Sequence, residues 1–228
     1  QDMEPEYIAI SIDDRKAWVA LQENNAVAEL DIEAGEITAI VPLGFKDHSL
    51  IGNELDASNR DNGINIRNWP VKGMYQPDAI TSYGFNGKTY YITANEGDSR
   101  DYDGFSEEFR VKDLVLGEAF GTENERQTLQ EDANLGRLNV TSTLGFGDSC
   151  APSDPANVAL VDGEYDRTYV ETNCVYNELF AYGARSFSIW SETGERVFDS
   201  GSELERIPAS LIPGNFNGQN DENSFDNR

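Results

Sequence analysis

Short β-rich runs separated by tight polar turns fill the first forty residues, and that spacing leaves few folds open. Tyr7-Ile8-Ala9-Ile10-Ser11-Ile12 runs into the turn Asp13-Asp14-Arg15-Lys16, and Ala17-Trp18-Val19-Ala20-Leu21 runs into Gln22-Glu23-Asn24-Asn25. A third run covers residues 26–32, Glu33-Ala34-Gly35-Glu36 turns the chain, and a fourth covers residues 37–43. Runs rich in β-branched and aromatic residues and bounded by Asn, Asp and Gly read as strands. Four antiparallel strands of this length form one propeller-type blade.

The pattern returns. Pro5-Glu6-Tyr7-Ile8 is matched by Pro77-Asp78-Ala79-Ile80, and at the same offset Lys16 falls on Lys88, Trp18 on Tyr90 and Asn25 on Gly97. A partial third copy holds Glu178-Leu179-Phe180-Ala181-Tyr182, Ser186-Phe187-Ser188-Ile189-Trp190 and the turn Glu192-Thr193-Gly194-Glu195, which matches Gly35-Glu36. The sequence therefore predicts an all-β, β-propeller-type chain of four-stranded antiparallel blades. About three are present, at residues 5–43, 77–144 and 178–200, in a partial propeller spanning 1–214. Insertions occupy 44–76, 105–134 and 145–177, with a weak helical pattern from Glu107 to Leu116 before an acidic, Gln-rich linker. Residues 215–228 read as a polar linker or tail. Propeller rings usually hold four to eight blades, so the expected partner is the remainder of the propeller or another copy of the chain.

The 228 residues carry 17 Lys and Arg against 42 Asp and Glu, a net charge of −25. Such a surface repels phosphate backbones, which excludes nucleic acid as a partner. It favours cations. No apolar stretch is long enough to span a membrane. A chain beginning at Gln1 instead of Met is expected to have been processed or cut. Cys150 and Cys174 flank a polar loop, and pairing them in a disulfide suits an oxidising compartment; two free thiols are the alternative. Asn139-Val140-Thr141 fits the glycosylation sequon.

The charge is densest after the run Thr89-Tyr90-Tyr91-Ile92-Thr93, where Glu96, Asp98, Asp101, Asp103, Glu107 and Glu108 follow Gly97. Crowded carboxylates repel unless a cation, arginine or water screens them. Calcium takes six to eight oxygen ligands. Glu96, Asp98, Asp101 and Asp103 are candidates for that shell, with a solvated loop paired to Arg100 and Arg110 as the alternative. The spacing is not that of an EF-hand. A second oxygen-dense loop places Asp56 and Asp61 near Ser58 and Asn59, where Asx-turn punctuation is the competing reading. Glu6 and Asp78 each follow Pro at the start of an innermost strand, and with Glu96 they would line a channel mouth or cap turns. Calcium is the expected ion, another divalent metal the alternative. Arg67, Arg100 and Arg185 carry the fork that matches an anion, or they neutralise carboxylates. His48 is the sole histidine, which rules out a multi-histidine zinc site.

Several stretches resemble one family. These include Phe45-Lys46-Asp47-His48-Ser49, Asn65-Ile66-Arg67-Asn68-Trp69-Pro70-Val71 and Gly73-Met74-Tyr75-Gln76-Pro77-Asp78. Arg100-Asp101-Tyr102-Asp103-Gly104-Phe105 and Tyr182-Gly183-Ala184-Arg185-Ser186-Phe187-Ser188-Ile189-Trp190 belong with them. They resemble the choice-of-anchor I family, secreted bacterial β-propeller proteins similar to animal mesenchyme-specific cell-surface glycoproteins. The resemblance implies a secreted protein, extracellular, at the cell surface or periplasmic, and a place in the middle of a longer chain. Members are often labelled alkaline phosphatase. Two functions are therefore expected in competition. The first is a calcium-binding scaffold or binding module with an extracellular ligand. The second is a metal-dependent phosphomonoesterase acting on a phosphate ester through Glu96, Asp98, Asp101 and Arg100.

Overall fold

The first strands form where the apolar runs were read: β1 (Pro5–Ile10), β2 (Lys16–Leu21), β3 (Ala26–Asp31) and β4 (Glu36–Pro42). They pair in chain order as a four-stranded antiparallel meander. Positive φ at Asp14, Asn25 and Gly35 closes its three turns, the backbone region that Gly, Asn and Asp enter most readily. β5 (Phe45–Asp47) and β6 (Lys72–Met74) bracket the first insertion, and β7 (Ala79–Phe85) and β8 (Lys88–Asn95) form a hairpin. A computed structural model describes residues 3–103, 105–147, 150, 160–161, 164–165 and 167–216. Within it the chain divides into two compact units, the first being 1–46, 73–98 and 182–204 and the second 47–72, 99–181 and 205–228.

The second blade-like sheet of the first unit is assembled from distant sequence. β18 (Ser186–Ser191) and β19 (Arg196–Asp199) add to the β7–β8 hairpin, giving the order β19-β18-β8-β7. The stretches expected as separate blades at 77–144 and 178–200 thus share one sheet. The reason is register: six residues of β18 pair with Tyr90 through Asn95, satisfying the open edge of β8.

The core of this unit is aromatic. Trp18 and Tyr91 rings lie 5.2 Å apart, Tyr91 stacks with Trp190 at 6.3 Å, and Tyr75 meets Trp190 edge-on at 5.4 Å. Ala9, Ala20, Val27, Leu43, Ile80 and Ala184 fill the space around them. On β8 and β18 the inward positions are partly polar: Thr93, Asn95, Ser186 and Ser188 are all buried. They form a chain of hydrogen bonds. Thr93 Oγ1 donates to Asn95 Oδ1 (2.8 Å), and Asn95 Nδ2 donates to Ser186 Oγ (3.0 Å) and Ser188 Oγ (2.8 Å). Both serine hydroxyls donate to Asp199 Oδ2 at 2.8 and 2.7 Å. Asp199 Oδ1 lies 3.2 Å from Lys46 Nζ, whose side chain is 2% exposed. Lys46 also donates to the carbonyls of Ala184 and Gly201. Each polar side chain of this Thr93–Lys46 network has a partner, which is what allows the network to stay inside.

The second unit mixes short strands with helices. β9 (Asp101–Tyr102) and β10 (Phe105–Ser106) form a small hairpin. β11 (Glu108–Arg110), β12 (Val115–Leu116) and an intervening 3-10 turn occupy the stretch with the weak helical pattern. Phe109, Val111, Leu114 and Leu116 go into the core, so the apolar spacing there serves two strands and a turn. Helix α1 (Glu123–Leu129) starts instead inside the expected linker, at a capping box in which Thr122 and Glu125 exchange hydrogen bonds. β13 (Asn139–Thr141) pairs with β11 and with β17 (Phe180–Ala181), while β14 (Leu160–Val161) pairs with β15 (Glu164–Tyr165). Helix α2 (Arg167–Asn173) leads to β16 (Val175–Tyr176), which runs parallel to β12. Helix α3 (Glu203–Leu211) follows the last strand. The tail expected at 215–228 lies outside the described residues beyond Phe216. No helix among the described residues is long and apolar enough to cross a membrane.

Cys150 and Cys174 form the expected disulfide, with both residues in the apolar core of the second unit. Closing a loop of this length should contribute roughly 3 kcal/mol. Reduction, or Cys174→Ser, is expected to lower the unfolding free energy by about that amount in urea melts. Asp199 supplies a second check. Burial raises its pKa, but the Lys46 ammonium and the Ser188 and Ser186 hydroxyls outweigh burial and hold it below the ordinary carboxylate value. A depressed folded pKa stabilises above the unfolded value and is lost as pH falls through the folded one. Asp199→Asn should remove that acid-range slope below about pH 4 and leave Lys46 buried without a counter-charge, costing about 3 kcal/mol at neutral pH.

Candidate metal centre

Antiparallel pairing of β1 and β2 sets Pro5 opposite Leu21, so the start of β1 lies against the turn at 22–25. Glu4 and Glu6, two residues apart on extended chain, point to the same face. Glu23 projects from the turn. One carboxylate oxygen from each of Glu4, Glu6 and Glu23 lies within 4.8 Å of the others. Two oxygens coordinating calcium at about 2.4 Å stand at most about 4.8 Å apart, so the spacing allows one shared ion. All the donors are carboxylates, which favours a hard cation over zinc or copper.

Glu23 is the strained member. Its Oε2 is buried and accepts no hydrogen bond. Burial pushes its carboxyl pKa up, its own backbone amide opposes this, and the charges of Glu4, Asp98 and Glu6 push it further. An acid whose folded pKa is raised destabilises the ionised fold, and the penalty grows as pH rises through that pKa.

The position of this cluster is fixed by Gln76, which is fully buried and held at φ 39°. Its backbone N–H donates to Asn25 Oδ1 (3.0 Å), at the end of the turn that carries Glu23. Its Nε2 donates to the Asp98 carbonyl (2.8 Å), its carbonyl accepts from Gly97 N (3.1 Å), and its Oε1 accepts from Gly183 N (3.3 Å). One side chain and its peptide thus tie the 22–25 turn to the 96–98 corner. At that corner two backbones cross. A Cβ on Gly97 (φ +92°) would lie 1.9 Å from Gly183 N, and one on Gly183 (φ +73°) would lie 1.8 Å from Glu96 O.

The acids singled out in the sequence are distributed differently. The boundary between the units falls between Asp98 and Ser99, dividing the acid-rich stretch. Glu96 and Asp98 belong to the first unit and Asp101 and Asp103 to the second, all four exposed. Among the described residues, Glu4, Glu6 and Glu23 are the only group of three or more metal-ligating side chains with this spacing. Glu6 therefore meets Glu4 and Glu23 there and is not grouped with Asp78 and Glu96; Asp78 is half-buried, its N–H bonded to Ala94 O. Asp56 is fully buried and accepts from Ser58 N (3.3 Å) and Asn65 N (2.8 Å); Asp61 accepts from Gly63 N and Asn65 Nδ2. Both organise the loop as Asx caps. Burial raises the Asp56 pKa, the two amides oppose it, and Asp61 and Glu205 add to it.

The three arginines have separate settings. Arg100 pairs with buried Glu107, Nε to Oε1 at 3.2 Å and Nη2 to Oε2 at 2.7 Å. Arg185 sits half-buried at φ 46° in the first unit. Arg67 lies 3.8 Å over the Trp69 ring. His48 is buried, and its Nδ1 contacts the Asn53 carbonyl (2.7 Å), bracing the 48–53 loop. Asn139 of the sequon lies on a strand paired on both sides, and its amide donates to Glu108. Glu4 and Glu23 were missed in the sequence because each looks like turn or terminal punctuation. The available signal was the acid pair flanking Pro5, set opposite the Glu-bearing turn by hairpin register.

The choice-of-anchor I domain profile matches residues 1–228. The chain belongs to the choice-of-anchor I family. Choice-of-anchor domains are carried by cell-surface and extracellular proteins, and the disulfide of this one fits an oxidising compartment. This choice-of-anchor I domain is also 34% identical over 91 residues to Gigasin-3a from Magallana gigas, a match covering 40% of this chain and 24% of that protein. No solved structure matches it significantly.

The crossing at Gly97 and Gly183 yields a prediction. Gly97→Ala and Gly183→Ala should each destabilise the domain by well over 1 kcal/mol, read as a drop in melting temperature, whereas Gly63→Ala, with open space around it, should be nearly neutral.

Proposed function

We propose that this domain is a calcium-binding scaffold or binding module working at the cell surface or in the extracellular matrix, with Glu4, Glu6 and Glu23 as the ion's protein ligands and Asp98 adding to the local negative field. The observation that supports this reading most strongly is the buried, unpaired Oε2 of Glu23 beside two further carboxylates. Without a cation, a buried carboxylate oxygen next to like charges costs stability. With one, the same three side chains pin the start of β1 to the β2–β3 turn. The ion's part is structural: it supplies positive charge where the fold has concentrated negative charge.

The exposed apolar residues of the first unit support a role in assembly. Tyr7, Ile8 and Ile10 on β1, and Ile37 and Ile40 on the edge strand β4, all face solvent. Neighbouring blades of a longer chain are the partner proposed for these surfaces. The match to Gigasin-3a covers about a quarter of that protein's length, which leaves room for such further blades.

Calcium removal tests this function. At a hundredfold excess over Kd, calcium should add about 2.7 kcal/mol, a rise in melting temperature of roughly 5–10 °C over chelated protein. Glu23→Gln should abolish that rise. In chelator the same variant should melt slightly above wild type, because a buried charge has gone. No calcium-dependent shift in the wild-type protein would overturn the assignment.

A further inference from the structure

The surface of the second unit carries an open cavity of about 460 Å³ lined by Arg67, Asn68, Trp69, Phe120, Asn124 and Leu129, among others. That volume lies within the range of small-molecule sites. Its lining combines apolar surface with a few convergent polar groups, the composition such sites share.

Arg67 distinguishes it. The guanidinium rests 3.8 Å from the Trp69 ring centroid, and its Nη2 donates to the Asn134 side-chain oxygen. Asn134 is itself fixed by donating to the Thr128 carbonyl (2.7 Å) and to Glu131 Oε2 (3.3 Å). The fork is therefore held in one orientation by neutral groups. Among the described residues Arg67 makes no ion pair, in a chain with 42 acids and 17 bases. The acid lining the same cavity, Glu125, stays ionised and makes no ion pair with Arg67: its Oε2 accepts from the backbone N–H and hydroxyl of Thr122, and these hold its pKa below the usual carboxylate value. An oriented, unneutralised guanidinium presents two parallel N–H donors, the geometry that carboxylates accept.

The other polar groups are neutral. Asn68 uses its amide nitrogen on the carbonyls of His48 and Leu50, leaving its side-chain oxygen as an acceptor. The Asn124 amide has no hydrogen-bond partner among the described residues, and Thr128 Oγ1, which donates to Asn124 O, keeps acceptor capacity. Side-chain amides and a hydroxyl alternating with Phe120 and Leu129 match a saturated ring that carries hydroxyls at its edge and C–H groups on its faces.

We propose that this cavity binds a hexuronate unit, the carboxylated sugar of acidic polysaccharides. Its carboxylate is taken by Arg67, its hydroxyls by Asn68 and Asn124, and its C–H face by Phe120 and Leu129. The assignment gives Arg67 the anion-binding role its chemistry allows and is independent of the calcium site.

The test is titration of the whole chain with D-glucuronate in the presence of chelator, so that calcium-bridged attachment at carboxylates is absent. Binding is followed by NMR at the Trp69 indole and the Phe120 ring. A single sugar of this size should bind with a Kd of about 1 mM. D-Glucose, lacking the charge, should bind at least tenfold more weakly, as should benzoate, lacking the hydroxyls. Arg67→Gln and, separately, Asn124→Ala should each weaken glucuronate binding severalfold. Asn124 is exposed and makes no side-chain hydrogen bond to the described fold, so its variant keeps the test valid if the Arg67 variant is unstable. Absence of shifts at these rings, glucose binding as tightly as glucuronate, benzoate binding as tightly, or unchanged affinity in both variants would each overturn the proposal.

Discussion

The first unit depends on a single close approach, the crossing of two backbones at Gly97 and Gly183. No side chain fits there, since a Cβ on either residue would penetrate the other strand's main chain. The approach lets Gln76 reach Gly97, Asp98 and Gly183 at once while its backbone holds Asn25. From this clamp the sheets extend outward: β8 and β18 align in register from the crossing, and the aromatic core of Trp18, Tyr91 and Trp190 closes between the two sheets. The strained φ of Gln76 is held by the surrounding hydrogen bonds, as such outliers generally are.

Much of this was legible in the sequence. The meander at residues 5–42 follows directly from alternating apolar runs and Asn/Gly turns, and the repeat at Pro77 correctly signals another hairpin. What the sequence did not reveal was which hairpins share a sheet. Strand pairing between β8 and β18, some ninety residues apart, leaves no local trace. Its inward positions, Thr93, Asn95, Ser186 and Ser188, look solvent-facing by composition. They are inside because the Lys46–Asp199 pair and the tryptophan Nε1 of Trp190 complete their hydrogen bonds, and that completion is a three-dimensional fact. Helix α1 carried a readable capping signature in Thr122 and Glu125, but its window is dominated by charge.

The candidate site shows the same division. Acid density pointed to Asp98, Asp101 and Asp103, yet density along the chain is not proximity in space. The one group of three metal-ligating side chains among the described residues does not include them, and Asp56 and Asp61 spend oxygens on backbone amides. The three carboxylates that do converge are supplied by a strand and a turn, at positions where a lone Glu attracts no notice. Burial and register, not abundance, separate a potential ligand set from ordinary surface charge in a chain with this many acids. Arg67 makes the converse point: in so acidic a chain an arginine with no acidic partner carries more information than one that has found its carboxylate.

The two compact units are interleaved along the chain, which passes from one to the other after residues 46, 72, 98, 181 and 204. Neither is a continuous segment, so no single cut frees either one whole. A continuous stretch of chain that carries either unit whole therefore carries much of the other with it. A graft of one unit alone has no single pair of cut points to use.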